Sequence, residues 1–179
     1  MGRWLVLLLT VSLAGIASAQ GTRNPAYLGL GFSLASEKFD LPAGVSADDT
    51  EALNLLAGYR VDRNVALELE AEFLSEFDLD GAGGNVDGVA VTGSAKLFLG
   101  ADPNSIEPFL MLGLGFLDLD GPHSIDANES DWLFHLGAGV DFPIARQTVL
   151  ELRASYRFPQ GDLSDFEYWT LGANLQYRF

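Results

Sequence analysis

The sequence predicts an all-β chain that closes into an eight-stranded antiparallel transmembrane β-barrel of up-and-down topology. Three observations lead there. The last nine residues alternate strictly, with Leu171, Ala173, Leu175, Tyr177 and Phe179 on one side and Gly172, Asn174, Gln176 and Arg178 on the other; a strand whose one face is greasy and whose other is polar suits lipid outside and a polar interior. Seven earlier segments show the same period of two. The connections between them alternate short and long, as they do when hairpins cross a bilayer back and forth.

The chain opens with a leader. Met1 to Ala19 carry Arg3, an apolar run from Trp4 to Ile16, and the small-x-small site Ala17-Ser18-Ala19. That pattern predicts a signal peptide over 1–19, cleaved before Gln20, and a barrel domain over 20–179. The apolar run falls short of the about 20 residues a spanning helix needs. With no cysteine in the chain, thiol and disulfide chemistry are excluded. Gln20 to Phe179 is 160 residues, room for eight strands of about 9–11 residues with their turns. A formal charge of −15 argues against binding nucleic acid.

The first strand is expected over Ala26 to Ser36, with Leu28, Leu30, Phe32 and Leu34 outward and Tyr27, Gly29, Gly31 and Ser33 inward. The second, Thr50 to Arg60, sends Leu53, Leu55, Ala57 and Tyr59 outward, with Leu56 an apolar exception inside, and ends in the tight turn Val61-Asp62-Arg63-Asn64. In the third, Val65 to Phe77, three inward glutamates alternate with Leu67, Leu69, Ala71 and Phe73. The fourth, Gly88 to Leu99, turns Thr92, Ser94 and Lys96 inward. Pro108 to Leu117 is nearly all apolar; Leu110, Leu112, Leu114 and Phe116 are placed outward because Gly113 and Gly115 then face in. Asp131 to Phe142 puts Trp132, Phe134 and Leu136 outward and His135 inward, with Pro143 in the following turn. Gln147 to Phe158 alternates Leu150, Leu152, Ala154, Tyr156 and Phe158 with Glu151, Arg153, Ser155 and Arg157, and the closing strand starts at Tyr168. Short turns near 61–64, 100–107 and 143–146, against long polar stretches near 37–50, 76–87, 118–131 and 159–167, predict periplasmic termini and extracellular loops.

Tyr27-Leu28-Gly29-Leu30-Gly31-Phe32, Pro108-Phe109, Gly113-Leu114-Gly115-Phe116, His135-Leu136-Gly137-Ala138-Gly139-Val140 and Gly172 to Phe179 recur in order along the mature chain. Together they resemble the outer-membrane-protein-A-like family of small barrels, opacity-type surface proteins among them. The resemblance implies the bacterial outer membrane as location, with lipid and lipopolysaccharide as surroundings. It also implies that the barrel-assembly machinery reads the ending as a signal, with Leu171, Leu175, Tyr177 and Phe179 its apolar side. The chain stops at the barrel, so the peptidoglycan-binding role of the family's namesake is not carried over.

The inward positions hold the candidate site. Glu68, Glu70, Glu72, Asp141 and Glu151 face Arg60, Lys96, Arg153, Arg157 and Arg178, five of each sign in a chain of large negative excess. Height along the strands puts Glu68, Glu70, Lys96, Glu151 and Arg153 in one mid-barrel layer, and Arg60, Asp141 and Arg178 in a second near the periplasmic mouth. Such a set predicts a lumen plugged by ion pairs.

Other chemistry is sparse. His123, Ser124 and Asp126 are too close in sequence to form a triad, and a lone inward His135 reads as a hydrogen-bonding group. The repeated Asp78-Leu79-Asp80-Gly81 and Asp118-Leu119-Asp120-Gly121 lack the spacing of a calcium loop, so no metal ligand and no cofactor is assigned. Seventeen of the 25 acidic residues fall in or beside the four long stretches, which predicts a negative outer rim. The expected function is therefore that of a non-enzymatic, monomeric outer-membrane barrel with a structural or surface-interaction, adhesin-like role through four long acidic loops, any extracellular ligand being unspecified. A narrow channel for small solutes is the alternative, and a lipid A-modifying barrel enzyme a more distant one.

Overall fold

The structure is a computed structural model that describes residues 25–37, 46–47, 50–80, 85–100, 102, 105–120, 129–161 and 167–179. The leader 1–19, the His123-Ser124-Asp126 group and several acidic positions of the long connections (Asp40, Asp48, Asp49, Asp162, Asp165) lie outside the described residues.

Eight long strands form: β1 (Ala26–Glu37), β2 (Thr50–Arg60), β3 (Val65–Asp80), β4 (Asn85–Phe98), β5 (Glu107–Asp120), β6 (Glu129–Pro143), β7 (Thr148–Pro159) and β8 (Tyr168–Arg178). Each pairs antiparallel with its neighbours in sequence, β8 pairs with β1, and the sheet closes. A two-residue strand, Ser46–Ala47, pairs with Leu79 and Asp80.

The period-two pattern explains the closure. Partners in an antiparallel pair point to the same face, so outward residues meet outward residues: Leu28 opposite Ala57, Leu30 opposite Leu55, Phe32 opposite Leu53. The apolar set of every strand then forms one continuous belt, in which Leu30, Leu69, Leu112, Leu136 and Leu171 are exposed. On β5 the faces fall as expected, with Leu110, Leu112, Leu114 and Phe116 exposed and Phe109, Met111 and Leu117 buried.

Strand limits depart from expectation at the loop side. β3 runs to Asp80 and β4 begins at Asn85, with a register shift between Leu74 and Phe77, so most of the expected 76–87 loop is strand. β5 continues through Asp118 to Asp120, and β6 begins at Glu129. Hydrogen bonding between neighbouring strands does not require apolar side chains, so pairing carries on past the end of the greasy pattern. β5 also starts one residue early, at Glu107, and Pro143 closes β6 opposite Val149 rather than lying in the turn.

Three bulky inward side chains of the lower barrel have a glycine as register partner. Tyr27 is the register partner of Gly58, Phe109 of Gly139 and Met111 of Gly137. A Cβ on Gly58 would lie 2.1 Å from the Tyr27 ring, and one on Gly139 2.5 Å from that of Phe109. The two rings occupy the space a side chain on the glycine would need, filling a lumen that eight strands leave just wide enough for side chains. The first short turn is held by Asp62, whose Oδ1 accepts from the Asn64 and Val65 amides at 2.7 and 2.9 Å.

Candidate functional site

Successive inward positions of β3 read Ala66, Glu68, Glu70, Glu72, Leu74, all buried. That order, apolar then charged then apolar, recurs on β4 from Phe98 through Lys96 to Ala90 and on β7 from Val149 through Glu151, Arg153 and Arg157 to Pro159.

At the short-turn mouth Arg60 holds Glu107 with both arms, Nη1 to Oε2 at 2.7 Å and Nη2 to Oε1 at 2.8 Å, and its guanidinium lies 4.0 Å over the Phe98 ring. Beside it Arg178 reaches Asp141 at 2.9 Å. Arg60 pairs with Glu107, a carboxylate the sequence reading leaves out, which lies opposite Asp141 in the β5–β6 register. Placing the start of the fifth strand at Pro108 hid this carboxylate. Above the mouth, Tyr27, Ala66, Phe98, Phe109 and Met111 form an apolar layer.

The mid-barrel layer unites the five residues expected there. Lys96 bonds Glu68 at 2.6 Å and also Glu151, while Arg153 meets Glu68 at 3.1 Å, Glu70, and Glu151 at 3.6 Å. Glu68 further accepts from the Tyr27 hydroxyl at 2.8 Å, and Glu151 from Asn174 and Gln176 at 2.8 and 2.7 Å. The Lys96, Glu68 and Glu151 side chains are each 0% exposed. Arg157 extends the network upward to Glu72 and, at 3.4 Å, to Glu70. Sequence reasoning passed over Tyr27, Asn174 and Gln176. Their signal is their inward parity beside charged neighbours.

A second apolar layer covers the charges from the long-loop side. Ala35, Ala52, Leu74, Ala90, Leu117, Leu133 and Tyr168 are buried together, one from each of β1 to β6 and β8. β7 completes the ring with buried Pro159, the register partner of Leu133. Just below it several buried polar atoms have no partner among the described residues, including Asn54 Nδ2, Thr92 Oγ1, His135 Nδ1, Glu70 Oε2 and Arg157 Nε and Nη1. An unmet buried donor or acceptor costs about 1–3 kcal/mol, so each calls for a ligand or water. His135 Nε2 lies 3.0 Å from Ser94 Oγ. No carboxylate bonds its Nδ1 among the described residues, so the pair lacks the third member of a hydrolytic triad.

The closing strand lies between β1 and β7, and Leu171, Leu175, Tyr177 and Phe179 are all exposed on its outer face. The Tyr177 and Phe179 rings meet edge to face at 5.1 Å, and the Phe179 amide donates to Ala26 O at 2.9 Å, tying the last residue to the first strand.

Known proteins agree with this architecture. The profile of the outer membrane protein beta-barrel domain matches residues 5–179. Neisserial surface protein A, NspA, is similar with 12% identity and a TM-score of 0.71, over 86% of this chain and 97% of that one. Ail, the attachment invasion locus protein of Yersinia pestis, has 15% identity and a TM-score of 0.62, over 88% and 100% of the two chains. The outer membrane protein OprG from Pseudomonas aeruginosa has 16% identity and a TM-score of 0.61, over 89% and 99%. At such identities the likeness is one of fold, and no curated protein matches the chain in sequence. The profile match spans nearly the whole chain, and the closed antiparallel barrel agrees with it: the chain belongs to the outer membrane protein beta-barrel domain family, whose place is the bacterial outer membrane.

Proposed function

We propose that the chain is a non-enzymatic, non-conducting membrane anchor that presents four acidic connections at the cell surface for interaction. One observation carries the reading: the mid-barrel layer, in which Lys96, Glu68 and Glu151 are wholly enclosed, fills the cross-section where a channel would have to pass. Eight strands leave no more than a side-chain-filled interior, which supports it. With the barrel shut, chemistry offered to the outside belongs to the long connections, since loops on a rigid scaffold carry specificity.

In this reading the short turns and both termini lie in the periplasm, consistent with a secreted chain whose leader is removed at Ala19. The protein works as a monomer in lipid and lipopolysaccharide, and its extracellular ligand is met by the loops. The apolar side of the closing strand, ending at Phe179, is the part the assembly machinery reads. Deleting the connections one at a time and scoring adhesion to matrix or cells, detergent resistance and solute uptake tests the role. Loss of adhesion with unchanged uptake is expected. Loss of uptake alone would favour the narrow-channel alternative.

A further inference from the structure

Of the eight buried side-chain polar atoms without a partner among the described residues, six gather in the upper lumen, while Asp141 Oδ1 and Asn174 Oδ1 lie lower. On four strands the inward residue directly beneath the outer apolar ring carries one: Asn54 below Ala52 on β2, Thr92 below Ala90 on β4, His135 below Leu133 on β6 and Arg157 below Pro159 on β7. All four are nearly wholly buried. Their free atoms are donors or can act as donors: the Asn54 amide, the Thr92 hydroxyl, the Arg157 Nε and Nη1, and His135 Nδ1 when Nε2 accepts from Ser94. Glu70 Oε2, one inward position below the Glu72 level on β3, is an acceptor without a hydrogen-bond partner among the described residues, although Arg153 and Arg157 contact the other oxygen of its carboxylate. Donors around a tier and an acceptor under it are what a small cluster of water satisfies, since a buried water takes about 2–4 such partners.

We propose that this tier binds a cluster of water molecules and that the apolar ring above it is a hydrophobic gate closing it off from the cell exterior. A ring of Leu74, Leu117, Leu133 and Tyr168 with three alanines and a proline offers water no polar side-chain group but the Tyr168 hydroxyl, which donates inward to Glu72 Oε1 at 3.4 Å, and such apolar constrictions exclude ions by drying. Downward the tier meets the enclosed Lys96–Glu68–Glu151 layer, so in this proposal water reaches it from the outer side. The inference rests on the closed-barrel reading and adds the place where the barrel can be unsealed.

The chain contains no cysteine, so a single introduced thiol reports cleanly. Thr92→Cys places one in the tier, and the barrel in liposomes is treated with a small charged methanethiosulfonate. Under the intact ring the thiol is expected to stay unmodified. Combined with Leu117→Ala and Leu133→Ala it should react at least about a hundredfold faster, because the reacting thiolate needs both access and a hydrated site. Heat-modifiable migration on gels verifies that each variant is folded; should the triple variant fail, Thr92→Cys with Leu117→Ala alone is read in the same way. Fast modification beneath the intact ring overturns the gate. A thiol that stays inert in a folded, opened barrel overturns the hydrated tier. Planar-bilayer conductance of the wild type, measured in parallel, judges the closed-barrel reading separately, whereas the thiol rates alone decide the gate.

Discussion

Arg153 on β7 spans the lumen to Glu68 on β3, Nη1 to Oε1 at 3.1 Å, between strands that lie four places apart by either way round the sheet. Two arginines of β7 face three glutamates of β3 across the lumen, with Glu151 of β7 and Lys96 of β4 joining them. In the proposed reading this contact shuts the middle of the lumen.

Removing Arg153 leaves Glu70 with only the 3.4 Å contact to Arg157, and Glu68 and Glu151 with Lys96 as their remaining cation. Breaking a buried pair from one side costs about 3–5 kcal/mol. Arg153→Ala should therefore lower the unfolding midpoint in urea titrations of the refolded barrel. Arg63→Ala, in an exposed turn, should leave it unchanged.

Arg60 and Glu107 make a two-armed pair close to the mouth. A double-mutant cycle of Arg60→Ala and Glu107→Ala should give a coupling of about 1–3 kcal/mol, as neighbours in one network do. Arg60→Lys should recover only part of it, because an ammonium cannot form the fork or stack on Phe98 in the same way. Additive effects would mean that the two residues act independently.

Gly58→Ala should cost about 1–3 kcal/mol by driving its methyl group into the Tyr27 ring. The same change in a Tyr27→Ala background should cost far less, since the three atoms nearest to the added carbon all belong to Tyr27. Equal costs in both backgrounds, read from unfolding curves, would contradict the ring-over-glycine packing.

Phe179 contributes a ring contact to Tyr177 and one backbone bond to Ala26. Deleting it should reduce the amount recovered in the outer membrane of cells much more than it lowers the stability of barrel refolded in detergent. Equal losses in both would make Phe179 a packing residue only.

How much of this could be read from residues alone depends on what period two reports. It separates inside from outside, so the outward Leu30 and the inward Glu68 and Arg153 were legible; Phe116, on a strand that is nearly all apolar, is placed outward only by the glycines beside it. It does not report the stagger between strands, which decides that Arg60 meets Glu107 and not Asp141. Nor does a polar-inside pattern announce its own exceptions. Leu74, Leu117 and Leu133 break the alternation on separate strands and look like noise until closure places them in one ring. The strand extensions to Asp80 and Asp120 were hidden because backbone pairing outlasts the apolar pattern that marks a membrane crossing.

The closed lumen is tested most directly by the conductance of purified wild-type barrel in planar lipid bilayers. Insertion confirmed by heat-modifiable migration, with no steady current at either polarity, is the result expected of a barrel filled by Lys96, Glu68, Glu151 and Arg153. A stable, reproducible single-channel current through the wild type would contradict it and put the narrow channel in its place.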